Sequence, residues 1–202
     1  MDVREAIEKR RTIRRFIQKP IPYGDLKALV DAARLAPSGG NLQPWEFIIV
    51  DDPEIVSSVF PCLAWAGYLA PKGTPEETER PVAYIVVLSN KKIASVTPAA
   101  DIAAAIENLI LRAVEMGIGS CWIGSVRRDS LAALLKIPET HSLEYVVALG
   151  YPKEVACIEE MTDSVKYWRD NNGVHHVPKR RLDSILHRNV FRGALDKSCK
   201  GV

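Results

Sequence analysis

The chain has 202 residues, 47% of them hydrophobic, with 27 basic side chains against 25 acidic ones and a formal net charge of +2. That length makes one domain able to bury a substantial core, and so even a balance excludes the broad basic excess of a nucleic-acid coat. No stretch approaches the ~18 consecutive apolar residues of a membrane span, and Met1-Asp2-Val3-Arg4-Glu5 has no apolar signal-like region, so a cytoplasmic protein is expected.

In chain order, Val3, Ala6 and Ile7 share one face of a short opening helix that stops near the first arginines. The run Arg10-Arg11-Thr12-Ile13-Arg14-Arg15 then sets four arginines and a hydroxyl within six residues. So much like charge is unfavourable unless something anionic sits among it. The planar guanidinium fork suits a phosphate, to which the Thr12 hydroxyl adds one more hydrogen bond. Taken alone, such a cluster is more often a solvated face or a nucleic-acid patch. A helix follows over Asp25 to Arg34, closed off by Pro37. In Pro37-Ser38-Gly39-Gly40-Asn41-Leu42-Gln43-Pro44-Trp45 the short side chains let backbone approach a flat ring closely. Asn41 and Gln43 offer amides able to read ring carbonyls and nitrogens; a polar loop capped by Pro44 fits the same residues. Glu46 to Val50 reads as a strand.

Pro61 to Pro81, with Trp65, Tyr68, Pro71, Gly73 and Pro75, is the most irregular segment, and a long loop carrying aromatics is more often functional than accidental. Ala83 to Leu88 is apolar enough for a central strand. From Ala99 to Met116 a helix carries Ile102, Ala105, Ile106, Leu109, Ile110, Ala113 and Val114, with Gly117 as its C-terminal cap. It is apolar around most of its circumference, so it is buried or shared with a partner subunit. Strands at Ser120 to Gly124 and Glu144 to Gly150 flank a small helix, Asp129 to Leu135. Gly117, Gly119 and Gly124 mimic part of a dinucleotide fingerprint, but they follow a helix and enter a strand, which rejects a Rossmann reading.

Cys62, Cys121, Cys157 and Cys199 form no CxxC and have no adjacent histidine, which argues against zinc, iron–sulfur clusters or a dithiol centre and for scattered reduced thiols. His175-His176 reads as a pair of surface-loop histidines, and no metal site is expected. Lys179-Arg180-Arg181 by itself is a solvated turn. After Asn189 the apolar pattern fades, so residues 1–190 are read as one domain and 191–202 as a mobile tail.

Four of these segments, in this order, carry a family resemblance: Arg10-Arg11-Thr12-Ile13-Arg14 at the end of a helix; Ala36-Pro37-Ser38-Gly39-Gly40-Asn41-Leu42-Gln43-Pro44-Trp45 feeding a strand; Met116-Gly117-Ile118-Gly119-Ser120-Cys121-Trp122-Ile123-Gly124; and Lys179-Arg180-Arg181. Together they resemble the nitroreductase family of FMN-dependent oxidoreductases over roughly residues 1–190. The resemblance implies an α+β sandwich, a central mostly antiparallel sheet flanked by helices, in an intertwined homodimer. It also implies two FMN sites at the interface, built from both subunits, with the helix Ala99 to Met116 at the dimer core. It assigns the FMN phosphate to Arg10, Arg11, Thr12, Arg14, Lys179 and Arg181. Pro37, Ser38, Gly39, Asn41 and Gln43 lie against the flavin. Trp122, Ile123, Gly124 and Ser125 border its N5 edge, where the amide of Gly124 or Ser125 bonds N5 and Cys121 lies nearby. Trp122 either stacks near the ring or is a core tryptophan. Gly39-Gly40 stands where relatives often have serines, Trp122 where better-known bacterial relatives have proline, and Gly124 near the place of a glutamate.

In the chemistry so implied the flavin carries the reaction and no side chain is needed as acid or base. NADH or NADPH gives hydride to N5, and a nitroaromatic, quinone or enone then enters the same pocket in ping-pong fashion, with Trp65 or Tyr68 stacking on the acceptor. Other relatives fragment their own flavin to dimethylbenzimidazole or deiodinate iodotyrosine. A non-enzymatic reading, a phosphate or nucleic-acid binder using Arg10 to Arg15, predicts steep salt dependence and no flavin.

Overall fold

The computed structural model describes residues 1–70, 73–93 and 95–191. Five strands form the central sheet: β1 (Phe16–Ile17), β2 (Trp45–Val50), β3 (Ala83–Asn90), β4 (Gly119–Ile123) and β5 (His141–Pro152). Every pairing in it is antiparallel. β3 lies between β2 and β5, and β5 also pairs with β4 and, through its last two residues, with β1.

Side chains alternate across this sheet with the strand period of two. Ala83, Ile85, Val87, Val147 and Leu149 enter one core, and Tyr84, Val86, Leu88, Val146 and Ala148 enter another on the opposite face. Seven successive residues of β3 are buried for that reason, as its unbroken apolar run anticipates. Leu26, Leu29 and Ala33 of α2 (Tyr23–Arg34) and Ile102, Ala105, Ile106 and Leu109 of α4 (Pro98–Glu115) cover the first face. Val59 of α3 (Pro53–Val59) and Leu131 of α5 (Arg128–Leu134) cover the second. The expected sandwich is therefore present.

Helix ends follow local chemistry. The Asp2 carboxylate accepts the Glu5 N–H and caps α1 (Val3–Lys9), and Asp52 does the same for Glu54 and Ile55 at the start of α3. At the end of α4, Gly117 takes φ +72°. The Ile118 N–H reaches the Ala113 carbonyl at 2.8 Å and the Gly117 N–H that of Val114 at 3.0 Å, the paired bonds of a Schellman cap.

The N-terminal segment is tied to strands far along the chain. Thr12 bridges Ser120 in β4, the Ile13 N–H donates to the Ser120 carbonyl at 2.9 Å, and Phe16 pairs with Pro152. Gly119 and Gly150, which face each other across β4 and β5, make room for it. A Cβ on Gly119 would lie 3.0 Å from Ile13, and one on Gly150 would lie 2.7 Å from the Phe16 side chain.

Beyond β5 the chain builds a second, three-stranded sheet that the sequence reading left out. In it β8 (His175–Lys179) lies between β6 (Ala156–Glu160), parallel to it, and β7 (Trp168–Arg169), antiparallel. These strands are short and mostly polar, and no alternating pattern announces them. In the segment expected to be a loop over residues 61–81, the described residues form 3₁₀ turns at Phe60–Cys62, Gly67–Leu69 and Glu77–Glu79 and one antiparallel bridge from Leu63 to Val126. The expected tail lies outside the described residues apart from Phe191. Among the described residues no helix is long and apolar enough to cross a membrane.

Candidate functional site

Much of the arginine cluster finds its anions within the chain. Arg10 lies 3.7 Å from Glu107 on α4, and Arg15 lies 3.3 Å from Glu79. Glu154, just past β5, accepts the backbone N–H groups of Arg14 and Arg15 and pairs with the Arg169 guanidinium. Arg11 and Arg14 are different: among the described residues neither guanidinium has a carboxylate partner. Arg11 is buried and donates to the carbonyls of Arg10 and Glu8, while its Nε has no partner among the described residues. Burial, then the neighbouring Arg10, lowers its pKa from the ordinary arginine value. Arg14 sits 4.8 Å above the Tyr167 ring centroid with Nη1 3.3 Å from His175 Nε2.

That contact corrects the expectation of surface-loop histidines. His175 opens β8 and is 1% exposed, because the second sheet packs it beside Arg14 and Tyr167. Burial first, and the Arg14 charge second, push its pKa down to about 4. The neutral ring therefore accepts the Arg14 N–H at Nε2. His176 is half-buried beneath the Trp168 indole, at 4.0 Å between centroids, and lies 3.2 Å from Glu159 and 3.4 Å from Asp170.

Among the described residues no contact joins Lys179 or Arg181 to the arginine cluster. Lys179 closes β8 four residues after His175, about 13 Å further along the strand. Arg181 is exposed and pairs with Glu160 at 3.0 Å.

The turn after α2 is held from α4. The Gly39 N–H donates to Asp101 Oδ1 at 2.9 Å, and the Ser95 hydroxyl donates to Oδ2 at 2.6 Å. The Ser95 bond, then that of Gly39, keeps the buried Asp101 carboxyl below the usual range. Inside the turn Ser38 Oγ accepts the Gln43 N–H at 3.0 Å, so this hydroxyl is already engaged. Gly40, Asn41 and Gln43 all have left-handed backbone, at φ 57°, 56° and 51°. Two non-glycine residues there within three positions are strained, and such strain gathers at binding sites. Pro37, Gly39, Asn41 and Gln43 are exposed.

At the end of β4, half-buried Trp122 meets Tyr145 edge-on at 5.3 Å and packs against the first core. Ile123 is buried in the second core and pairs with Val146, so its side chain does not face a ligand. Gly124 and Ser125 are exposed, and their carbonyls accept from Arg128 at 3.3 Å and from the Ala64 N–H at 3.0 Å. Cys121 is buried, which pushes its thiol up to about 11 and keeps it protonated. Trp65 is not presented to a substrate: it is buried in the second core and stacked on Phe60. Tyr68 is exposed and leans on Tyr167 at 5.0 Å.

The Thr12–Ser120 bridge thus joins two of the four segments, the arginines and β4. α4 links the third, touching Gly39 through Asp101 and Arg10 through Glu107, about 9 Å apart along the helix axis. Glu154, Asp101 and Tyr167 escaped the sequence reading, and His175 entered it only as a surface-loop histidine. Only Asp101 had a signal, as an acid in the first turn of a helix.

Residues 7–151 match the profile of the nitroreductase family. An Archaeoglobus fulgidus protein provisionally named an NADH dehydrogenase/NAD(P)H nitroreductase is 36% identical over 166 residues, spanning 79% of this chain and 90% of its own. Among solved structures, an FMN-dependent nitroreductase from Clostridium difficile is 26% identical with a TM-score of 0.68, covering 92% of this chain and 98% of that one. A nitroreductase from Bacteroides fragilis with bound FMN is 30% identical with a TM-score of 0.61, covering 81% and 95%.

Proposed function

As the chain belongs to the nitroreductase family, we propose that it is an FMN-dependent oxidoreductase. It passes hydride from NADH or NADPH to a small acceptor such as a nitroaromatic, quinone or enone, by a ping-pong route and as a homodimer. The observation that carries this reading is the pair of guanidinium groups, Arg11 and Arg14, left without carboxylates among the described residues, beside the Thr12–Ser120 bridge that leads into β4.

The residues present fit a flavin nucleotide. An orphaned Arg11 Nε needs an acceptor, and Arg10, Thr12 and Arg14 supply further donors for a phosphate. Bare backbone at Gly39 and Gly40, and the left-handed turn that presents Asn41 and Gln43, suit the edge and face of a flat ring. The exposed amides of Gly124 and Ser125 serve the N5 edge. When bound, FMN supplies the hydride relay. The chain's own part is to bind and orient. Asp101 fixes the turn through Gly39, Glu154 fixes the backbone of Arg14, and Tyr145 and the first core fix Trp122. Neutral His175 orients Arg14 without competing for its charge. The turn and the arginines meet α4 at different points, Asp101 and Glu107, and a second subunit would complete the site between them, with Lys179 and Arg181 serving a phosphate across the subunit contact. Tyr68 is the side chain available to meet an acceptor.

The test is the absorbance of the protein after incubation with FMN and desalting. Retained bands near ~370 and ~450 nm that NADH or NADPH bleaches anaerobically are expected. Arg14→Gln should weaken FMN binding by about 10- to 100-fold, the worth of one charge-assisted hydrogen bond. A colourless protein, with FMN affinity unmoved by Arg14→Gln, would remove the assignment.

A further inference from the structure

A second pocket, of about 320 Å³, shares no residue with the proposed flavin site. It lies where α3, the end of β2, the start of β3 and the segment after β1 meet, and Val56, Phe60 and Val82 give it apolar walls. Two polar groups in this wall are left unsatisfied. Tyr84 is fully buried, and among the described residues its hydroxyl has no hydrogen-bond partner. Arg80 lies 4.2 Å over the Phe60 ring, its Nε buried and unpartnered, and no described carboxylate pairs with it. Phe60 is stacked in turn on Trp65 at 5.4 Å, so guanidinium, phenyl and indole form three layers that hold the Arg80 plane in place. Burial raises the Tyr84 phenol above its ordinary pKa, so its O–H is a donor throughout the physiological range.

Two donors, one of them cationic, in an otherwise apolar pocket call for one anionic acceptor on an apolar body. Asp51 and Glu77, which also line the pocket, are both exposed, so the mouth is acidic and disfavours a second negative charge. We propose that this pocket binds a small apolar monocarboxylate, with its carboxylate held by Arg80 and Tyr84 and its body against Phe60 and Val56. The site is separate from the oxidoreductase reading and stands whether or not the chain carries FMN.

Benzoate is the probe, titrated into the full-length protein as purified, with heat of binding and the flavin absorbance followed together. Saturable binding that leaves the ~450 nm region unchanged is expected. It should weaken at least about tenfold in Arg80→Gln and in Ser57→Trp, which fills the pocket from an exposed position. Benzyl alcohol, lacking the charge, and phthalate, carrying two, should each bind at least about tenfold more weakly. The proposal is overturned if benzoate does not bind saturably, if both variants bind it as tightly as the wild type, if benzyl alcohol binds equally well, or if benzoate shifts the flavin band. Should Arg80→Gln fail to fold, Ser57→Trp and the two analogues decide the matter.

Discussion

Glu154 gathers the N–H groups of Arg14 and Arg15 and the guanidinium of Arg169, and so fixes which arginine donors remain for a ligand. The side chains of Arg11 and Arg14 stay uncommitted to any described carboxylate, and His175 keeps Arg14 in place by being neutral. That neutrality has a pH consequence. The folded-state pKa of His175 lies at about 4 against 6.5 for an ordinary histidine. Between those values the unfolded chain takes up a proton that the folded protein refuses. The contribution is therefore complete above pH ~6.5 and is lost as pH falls toward ~4, on the order of 3 kcal/mol across the window. Urea unfolding at pH 7 and pH 4.5 should show a smaller acid loss in His175→Asn than in the wild type; equal losses would acquit the histidine. Residue types were legible here because their chemistry is local: arginines, amides and glycines announce donors and open backbone. Glu154 and His175 were not, since a lone glutamate and a histidine pair acquire meaning only from partners that the fold brings to them.

Among the elements, the long apolar ones could be read directly. β3 and α4 are set by periodicity and by a glycine cap, and each observed boundary lies within a residue or two of its expected place. β1, with two residues, and the second sheet had no pattern to read. They exist because backbone groups left at the end of β5 and in the segment around Arg14 needed partners. The facing glycines at 119 and 150 make this crossing possible, which yields a paired test. Gly150→Ala forces a methyl to within 2.7 Å of Phe16 and should destabilise the protein by about 1–3 kcal/mol in urea unfolding. Gly24→Ala, inside α2 with nothing within 4 Å of its Cβ, should stabilise by about 0.5–1 kcal/mol. If Gly150→Ala proves as harmless as Gly24→Ala, the close approach of the N-terminal arm to β5 is not what holds it.

For the whole molecule, exposed apolar side chains bear on assembly. Leu182, Leu186, Val190 and Phe191 are 66%, 62%, 63% and 82% exposed, and Val3 and Ile7 on α1 are 72% and 54% exposed. Where such side chains form one contiguous surface, another chain covers it, and the proposed homodimer would use them so. The proposed homodimer should scatter light with twice the mass of the chain, and deletion of everything after Arg181 should shift it toward the single chain. A truncated protein that remains fully dimeric would place the contact elsewhere. The pairing of Phe16 with Pro152, and of Thr12 with Ser120, also sets an order of events during synthesis. The arginines leave the ribosome first, yet the strands they lean on emerge roughly a hundred or more residues later. At ~5–20 residues per second the N-terminal arm waits about 7–27 s for its place. A nascent chain is therefore blind to any anion those arginines hold until at least three-quarters of it has been made.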